Sequence, residues 1–246
     1  MRAMAGEGFA GANVTVPHKQ AALAVADAAS EVAREIGAAN TLVFAEGGIH
    51  AHNTDADGFL AALRAGVVGG APEGLLSTPE APRGKRALVL GAGGAARAVV
   101  WALERQGARV EVWNRTAERA ERLCAELGGA AVTGAADAGD GTPGEAPSPL
   151  PDQADYELIV NTSAAGLDGS DPFEHLPLAP DRFFAGQTVV DMVYGEAPSA
   201  LLTAAGVAGA TTVDGLEILV QQGALSLRIW TGREPPLEVM RAAARA

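Results

Sequence analysis

The sequence predicts an α/β protein of two lobes, the larger built on a parallel sheet. Three observations carry that prediction. Leu88-Val89-Leu90 is a short apolar run that breaks into Gly91-Ala92-Gly93-Gly94-Ala95-Ala96 and then into a helical pattern. Val110-Glu111-Val112-Trp113 is a second run of alternating character, and it ends in Asn114-Arg115-Thr116. Leu158-Ile159-Val160 and Thr188-Val189-Val190 are further short buried-type runs, each closing on polar residues. Short apolar runs alternating with helical periods are the pattern of a parallel sheet covered on both faces.

The central segment is read first. Gly91 permits a tight turn after the strand, Gly93 lets backbone approach a pyrophosphate, and Ala96 is small enough for close helix–strand packing. Gly91, Ala92, Gly93, Gly94 and Ala95 are therefore the candidate pyrophosphate cradle. The helix behind the turn places Ala96, Val99, Val100 and Leu103 on one face. The next strand ends at the position that selects the cofactor. A carboxylate there would hold ribose hydroxyls and repel a 2′-phosphate, whereas a guanidinium pairs with the phosphate through parallel hydrogen bonds. Asn114 and Arg115 stand there, so the predicted cofactor is NADP. Thr116 and Arg119 complete its surroundings. The following helix, Ala117 to Leu127, carries Ala120, Leu123, Cys124 and Leu127 on one face and stops at Gly128-Gly129. The whole is a βαβα unit of a Rossmann-type domain.

The flanking segments supply the second lobe. Ala12 to Val16 alternates like a strand and stops at Pro17. A helix is expected from there to about Val25, and a second over Asp27 to Ile36. Thr41–Ala45 and Ile49–His52 flank Gly47-Gly48, a hairpin signal. Thr54 is expected to cap a helix running to about Leu63. Gly66 to Gly84 reads as a surface connection, and Gly134 to Asp155 as a mobile insertion rich in Gly, Pro, Asp and Ser. Leu216 to Trp230 is a long helix with Leu219, Val220, Leu227 and Trp230 apolar. The substrate lobe is accordingly 1–53 completed by 216–246, and the NADP lobe is 54–215.

Composition sets outer limits. A chain of 246 residues, 48% of them apolar, buries a substantial core. A net charge of −12 argues against nucleic acid or an anionic membrane as partner. No signal-peptide core or membrane span is read, and a cytoplasmic protein acting on a small molecule is expected. The single cysteine, Cys124, reads as a core thiol.

Four polar clusters lie outside the dinucleotide unit: Asn13-Val14-Thr15-Val16-Pro17-His18-Lys19, Gly37-Ala38-Ala39-Asn40-Thr41, His52-Asn53-Thr54-Asp55-Ala56-Asp57-Gly58 and Gln221-Gln222. Each alone has an ordinary reading: a surface lysine, a turn, a helix-dipole carboxylate, a solvated glutamine. Together with Gly91-Ala92-Gly93-Gly94-Ala95, Asn114-Arg115-Thr116, Asp191-Met192-Val193-Tyr194 and Trp230-Thr231-Gly232, they resemble the shikimate dehydrogenase family along nearly the whole chain. The resemblance implies NADPH-dependent, reversible reduction of the 3-dehydroshikimate ketone. It assigns Lys19 as catalytic acid/base with Asp55 beside it. Thr15 and Asn40 bind ring hydroxyls or carry the network around that pair, Gln222 reaches the substrate from the far helix, and Tyr194 lies where substrate and nicotinamide meet. Asn161, Thr162, Met192 and Gly215 line the nicotinamide side.

Two departures accompany the resemblance. The family has a Ser-x-Ser motif ahead of the Asn-Val-Thr segment, and only Met1 to Ala12 precede it here, so an N-terminally truncated substrate lobe is expected. Gly195 to Ser199 also departs from the family's proline–threonine pattern. The alternatives are a paralogue acting on quinate or an aminated shikimate, and, from another class, a non-catalytic NADP-binding protein.

Overall fold

The computed structural model describes residues 4, 7–46, 48–65, 82–133, 148–149 and 151–246. Two sheets organise them. In chain order the first part comprises β1 (Gly11–Asn13), α1 (Lys19–Ala24), β2 (Ala28–Ala29), α2 (Glu31–Ile36), β3 (Thr41–Ala45), β4 (Gly48–His52) and α3 (Asp55–Ala65). Its four strands lie in the order β1-β3-β4-β2. β3 pairs antiparallel with both β1 and β4, and β2 runs parallel to β4. Val14, Ala22, Ala39, Leu42, Ile49 and Ala51 form the small core beneath it.

The larger part comprises β5 (Arg86–Leu90), α4 (Gly94–Arg105), β6 (Arg109–Trp113), α5 (Ala117–Leu127), β7 (Ala130–Thr133), β8 (Ser148–Pro149), β9 (Leu158–Asn161), β10 (Thr188–Asp191), α6 (Ala200–Val207) and β11 (Thr211–Asp214). The chain then closes with α7 (Gly215–Thr231) and α8 (Leu237–Ala244). Seven strands lie in the order β11-β10-β9-β5-β6-β7-β8, every pair parallel. From β5 the chain winds outward through β6 and β7, then returns to β9 on the other side of β5. That reversal makes β5/β9 the topological switch point, where doubly wound sheets open a ligand crevice beyond the strands' carboxyl ends.

Alternation along the strands divides the core. Ala87, Val89, Val110, Val112 and Val160 face Val99, Leu103, Leu123 and also Phe59, Leu60 and Leu63 of α3. Leu88, Leu90, Ile159 and Val189 face Tyr156, Phe183, Leu201 and Leu202. The lobes are joined along α2 and α4. The Trp101 indole N–H donates to Glu35 Oε2 at 2.9 Å, and Arg105 pairs with the same oxygen. Arg97, itself buried, donates to the Ile36 carbonyl at the end of α2 and pairs with Glu126 at 2.7 Å. Trp230 of α7 donates to the Leu42 carbonyl of β3 at 2.9 Å, tying α7 to the four-stranded sheet.

Four expectations need correction. The helix expected over Asp27 to Ile36 begins only at Glu31. Asp27 and Ser30 donate backbone N–H groups to the Ile49 and Ala51 carbonyls, so Ala28–Ala29 is drawn into the sheet, and Ser30 caps what remains by accepting from the Ala33 N–H. The strand expected to reach Val16 ends at Asn13, although Val14 still donates to the Asn40 carbonyl. Thr54 does not cap α3 with its side chain. Asn53 Oδ1 takes the Asp55 and Ala56 N–H groups instead. Finally, Gly134 to Asp155 is not structureless throughout. Ser148–Pro149 pairs with β7, and Gln153–Asp155 forms a short 3₁₀ turn. Residues 134–147, like most of the Gly66–Gly84 connection and Gly47 of the hairpin turn, lie outside the described residues.

Candidate active site

Pro17 breaks the chain after β1 and α1 starts two residues later, which buries Lys19 at the helix's first position. Asp55 occupies the first position of α3, where a carboxylate also complements the helix dipole. The two meet: Lys19 Nζ lies 2.7 Å from Asp55 Oδ2, with side-chain exposures of 10% and 7%. Asn40, just before β3, donates through Nδ2 to Asp55 Oδ1 at 2.9 Å, to Thr54 Oγ1 at 2.9 Å and to Gln222 Oε1 at 3.0 Å. Its Oδ1 accepts the Thr54 backbone N–H at 2.7 Å, which fixes which way the amide points. Asn40 is therefore a buried strut of the Lys19–Asp55 pair. Beside it, burial, reinforced by His50, holds the His52 imidazole below its ordinary pKa.

A second observation connects this pair to the glycine turn. A Cβ placed on Gly94 would lie 3.2 Å from Lys19 Cβ and 3.3 Å from Lys19 Cδ. The lysine stem thus runs against the start of α4. Gly91 has φ +111° and donates its N–H to the Trp113 carbonyl, and a Cβ there would meet Thr162 Oγ1 at 2.8 Å. Only glycine fits on both counts. At Gly93 a Cβ would meet nothing within 4 Å, so the turn is open on that side. The first-turn N–H groups of α4 have no partners within the helix and point out of its end.

At the end of β6, Asn114 Nδ2 donates to the Thr116 carbonyl at 2.8 Å, shaping the turn into α5. Arg115, Thr116 and Arg119 are exposed there. Among the described residues no ion pair or hydrogen bond occupies either guanidinium. An open glycine turn at a helix N-terminus, with two guanidinium groups one strand away that have no partner among the described residues, fits a phosphorylated dinucleotide.

The carboxyl ends of β9 and β10 bring one correction. Asn161 was expected to line the nicotinamide side, but it is fully buried. Its Nδ2 donates to Asp191 Oδ1 at 2.9 Å and its Oδ1 accepts from the Ser163 N–H and hydroxyl. All its hydrogen-bonding capacity is spent holding two loops together. Thr162 Oγ1 likewise donates to the Leu90 carbonyl at 2.8 Å, though it also touches the space over Gly91. Met192 and Gly215 lie against each other. A Cβ on Gly215 would come within 2.6 Å of the Met192 carbonyl oxygen, so α7 can start there only as glycine. Tyr194 is 51% exposed and Thr15 is exposed, and neither is drawn into the network.

Three contributors escaped sequence reading. Asp191 is buried and accepts from Asn161, the Val193 N–H and the Ser199 hydroxyl (2.6 Å). Burial raises its pKa above the ordinary aspartate value despite those three bonds. Arg97 anchors α4 to the segment that presents Asn40. Ser226 lies fully buried one turn beyond Gln222. Asp191 stood in a motif already singled out, and the missing signal was a strand-end carboxylate in an otherwise apolar run.

Comparison with known proteins follows the same three parts of the chain. The shikimate dehydrogenase substrate binding domain matches residues 1–42, the shikimate / quinate 5-dehydrogenase domain residues 77–136, and the shikimate 5′-dehydrogenase C-terminal domain residues 215–245. The shikimate dehydrogenase (NADP(+)) of Anaeromyxobacter sp. (strain Fw109-5) is 47% identical over 243 residues, covering 97% of this chain and 77% of that one. The chain belongs to the shikimate dehydrogenase family. The solved shikimate 5-dehydrogenase of Thermus thermophilus, in complex with NADP(H) and shikimate, superposes with a TM-score of 0.77 at 36% identity, covering 100% of this chain and 83% of that one. Quinate dehydrogenase from Corynebacterium glutamicum, in complex with NAD, reaches a TM-score of 0.77 at 28% identity, covering 98% and 79%. The substrate lobe expected to be N-terminally truncated is matched by the family's substrate binding domain over residues 1–42. Among the described residues no helix is long and apolar enough to cross a membrane.

Proposed function

We propose that this chain catalyses the reversible, NADP-dependent reduction of 3-dehydroshikimate to shikimate. The observation that carries the reading is the buried 2.7 Å Lys19–Asp55 pair, with the lysine stem lying against Gly94 of the dinucleotide turn. A pure binding protein needs no buried cation and carboxylate there, and burying such a pair carries a desolvation cost that can exceed the attraction gained.

NADPH, when bound, supplies the hydride that reduces the ring ketone. The carbonyl oxygen then gains charge and must take up a proton. Lys19 Nζ is the donor, and in the reverse direction the acceptor. Asp55 Oδ2 holds the ammonium in place and leaves its other N–H bonds for substrate. Asn40 holds Asp55 from behind through Oδ1, so the carboxylate cannot rotate away. Gln222 approaches from α7, Thr15 from the turn ahead of α1 and Tyr194 from the loop after β10. These three are assigned to the substrate. Gly91 to Ala95 take the pyrophosphate, and Asn114, Arg115, Thr116 and Arg119 the 2′-phosphate. Thr162, Met192 and Gly215 border the nicotinamide, with Asn161 supporting them from within.

The reading divides the chain into a substrate lobe, 1–53 with 216–246, and an NADP lobe, 54–215, with the reaction in the cytoplasm. The test is a matrix of initial rates, shikimate and quinate each with NADP⁺ and NAD⁺. Shikimate with NADP⁺ should give the highest kcat/KM. Preference for quinate or NAD⁺ would move the chain to the paralogue reading. NADP binding without turnover of either acid would leave a binder.

A further inference from the structure

Gln222 is the substrate-side residue that α7 delivers, so its reach depends on how α7 is seated. Two features seat it. Gly58 of α3 faces the Gln222 backbone so closely that a Cβ there would lie 2.7 Å from Gln222 Cβ and 2.8 Å from its N. That contact limits the distance between the helices but not the rotation of α7 or its sliding along α3. Rotation and sliding are set one turn later by Ser226. Its hydroxyl is fully buried and lies 2.7 Å from Thr41 Oγ1, 3.2 Å from Thr54 Oγ1 and 2.9 Å from Asn13 Nδ2, which donates to it. It also lies 3.0 Å from the Gln222 carbonyl of its own helix.

Those contacts come from β1, β3 and the start of α3, the three elements that frame Asn40 and Asp55. Ser226 is thus the point nearest Gln222 at which α7 is registered against β1 and β3, with Trp230 on the Leu42 carbonyl one turn farther on. Gln222 Oε1 meets Asn40 Nδ2 at 3.0 Å as a result, while Gln222 Nε2 rests on the Leu219 carbonyl at 2.9 Å. We propose that Ser226 is a positioning residue that sets substrate affinity by holding Gln222 against Asn40. This rests on the reading of Gln222 as a substrate-binding residue.

Removing the hydroxyl strands no neighbour. Asn13 Nδ2 keeps the Asn40 carbonyl and Thr41 Oγ1, and Thr41 and Thr54 keep each other. Ser226→Ala is therefore expected to fold. Its effect should fall on KM and not on kcat, because Ser226 touches neither Lys19 nor Asp55.

The experiment is a double-mutant cycle of Ser226→Ala with Gln222→Ala, reading KM for shikimate, kcat and the NADP Kd. Losing one well-placed hydrogen bond's worth of substrate positioning should raise KM about five- to tenfold in the native background. kcat and the NADP Kd should stay within about twofold. In the Gln222→Ala background the same substitution should raise KM less than about twofold, because nothing remains to be positioned. Thr41→Val, which breaks the 2.7 Å contact from the strand side, should move KM in the same direction and serves if Ser226→Ala does not fold. Unchanged KM in these single variants, or an equal rise with and without Gln222, overturns the proposal while native turnover of shikimate leaves the functional reading standing. A native chain without turnover of shikimate overturns both.

Discussion

The two parts of the proposed site are built by different physical means. In the nucleotide lobe, the cradle is backbone: a glycine turn at φ +111°, a Cβ-free position at Gly93 and the open end of α4, with side chains added only at the rim by Arg115 and Arg119. Around Lys19 and Asp55, the site is a mesh of side chains contributed by both lobes. Asn13, Asn40, Thr41, Thr54, Asp55, Gln222 and Ser226 bond to one another over short distances, beside a small core that, among the described residues, has six buried apolar side chains. A backbone cradle tolerates side-chain change and fails on strain. A polar mesh fails where a departing member strands a buried partner, as loss of Asn40 would strand the Thr54 N–H, whereas loss of the Ser226 hydroxyl strands none.

The sharpest break of that comparison is Lys19→Ala. Its proton is needed only as the alkoxide forms, so kcat should fall about a hundred- to ten-thousandfold. The NADP Kd should change little, although the lysine stem touches Gly94. Steady-state rates with cofactor titration on the same preparation measure both. A comparable loss in cofactor affinity would mean that the two lobes share one site wall.

Arg115→Ala comes next and acts only at the rim. A charge-assisted guanidinium–phosphate pair contributes on the order of 1.5–3 kcal/mol, so NADP affinity should fall roughly ten- to a hundredfold. NAD affinity should hold, because it lacks the 2′-phosphate. Calorimetric titrations with each cofactor decide it, and equal losses would remove Arg115 from the phosphate site.

The smallest effect sharpens the contrast from inside the nucleotide lobe. Burial raises Asp191 above its ordinary pKa of 3.8, so the folded chain keeps a proton that the unfolded chain has released. This carboxyl therefore takes stability away as pH climbs from the ordinary aspartate value through the raised one. The slope is at most about 1.4 kcal/mol per pH unit. Glu217 behaves oppositely. Burial pushes its pKa up, but bonds from Arg241 and Gln221 outweigh burial and hold it below the usual glutamate value. Denaturant midpoints of the native chain and Asp191→Asn, followed from acid toward neutral pH, isolate the Asp191 contribution. The native chain should lose stability relative to the variant across that window. Parallel curves would show that Asp191 is ionised alike in both states.

The sequence by itself determined the nucleotide lobe's centre. β5, the glycine turn, α4, β6, Arg115 and α5 are encoded within about 40 consecutive residues by local rules of apolar period, glycine spacing and helix stops, and they stand where those rules place them. It also marked Lys19, Asn40, Asp55 and Gln222 as candidates through their motifs. Only the tertiary structure decided what those residues do to one another. Lys19 and Asp55 are 36 positions apart and Asn40 and Gln222 are 182 apart, so no local period reports their contacts. Long-range pairing likewise hid β2, where pairing with β4 overrides a helical pattern, and hid Ser226, a small hydroxyl between apolar neighbours Leu225 and Leu227. It reversed the expectation for Asn161, whose polar side chain at a strand end reads as a ligand contact until Asp191, on the neighbouring strand, is seen to occupy it. Periodicity records which face of an element is buried. A buried polar group is explained only by its partner, and here the partners come from other elements of the fold.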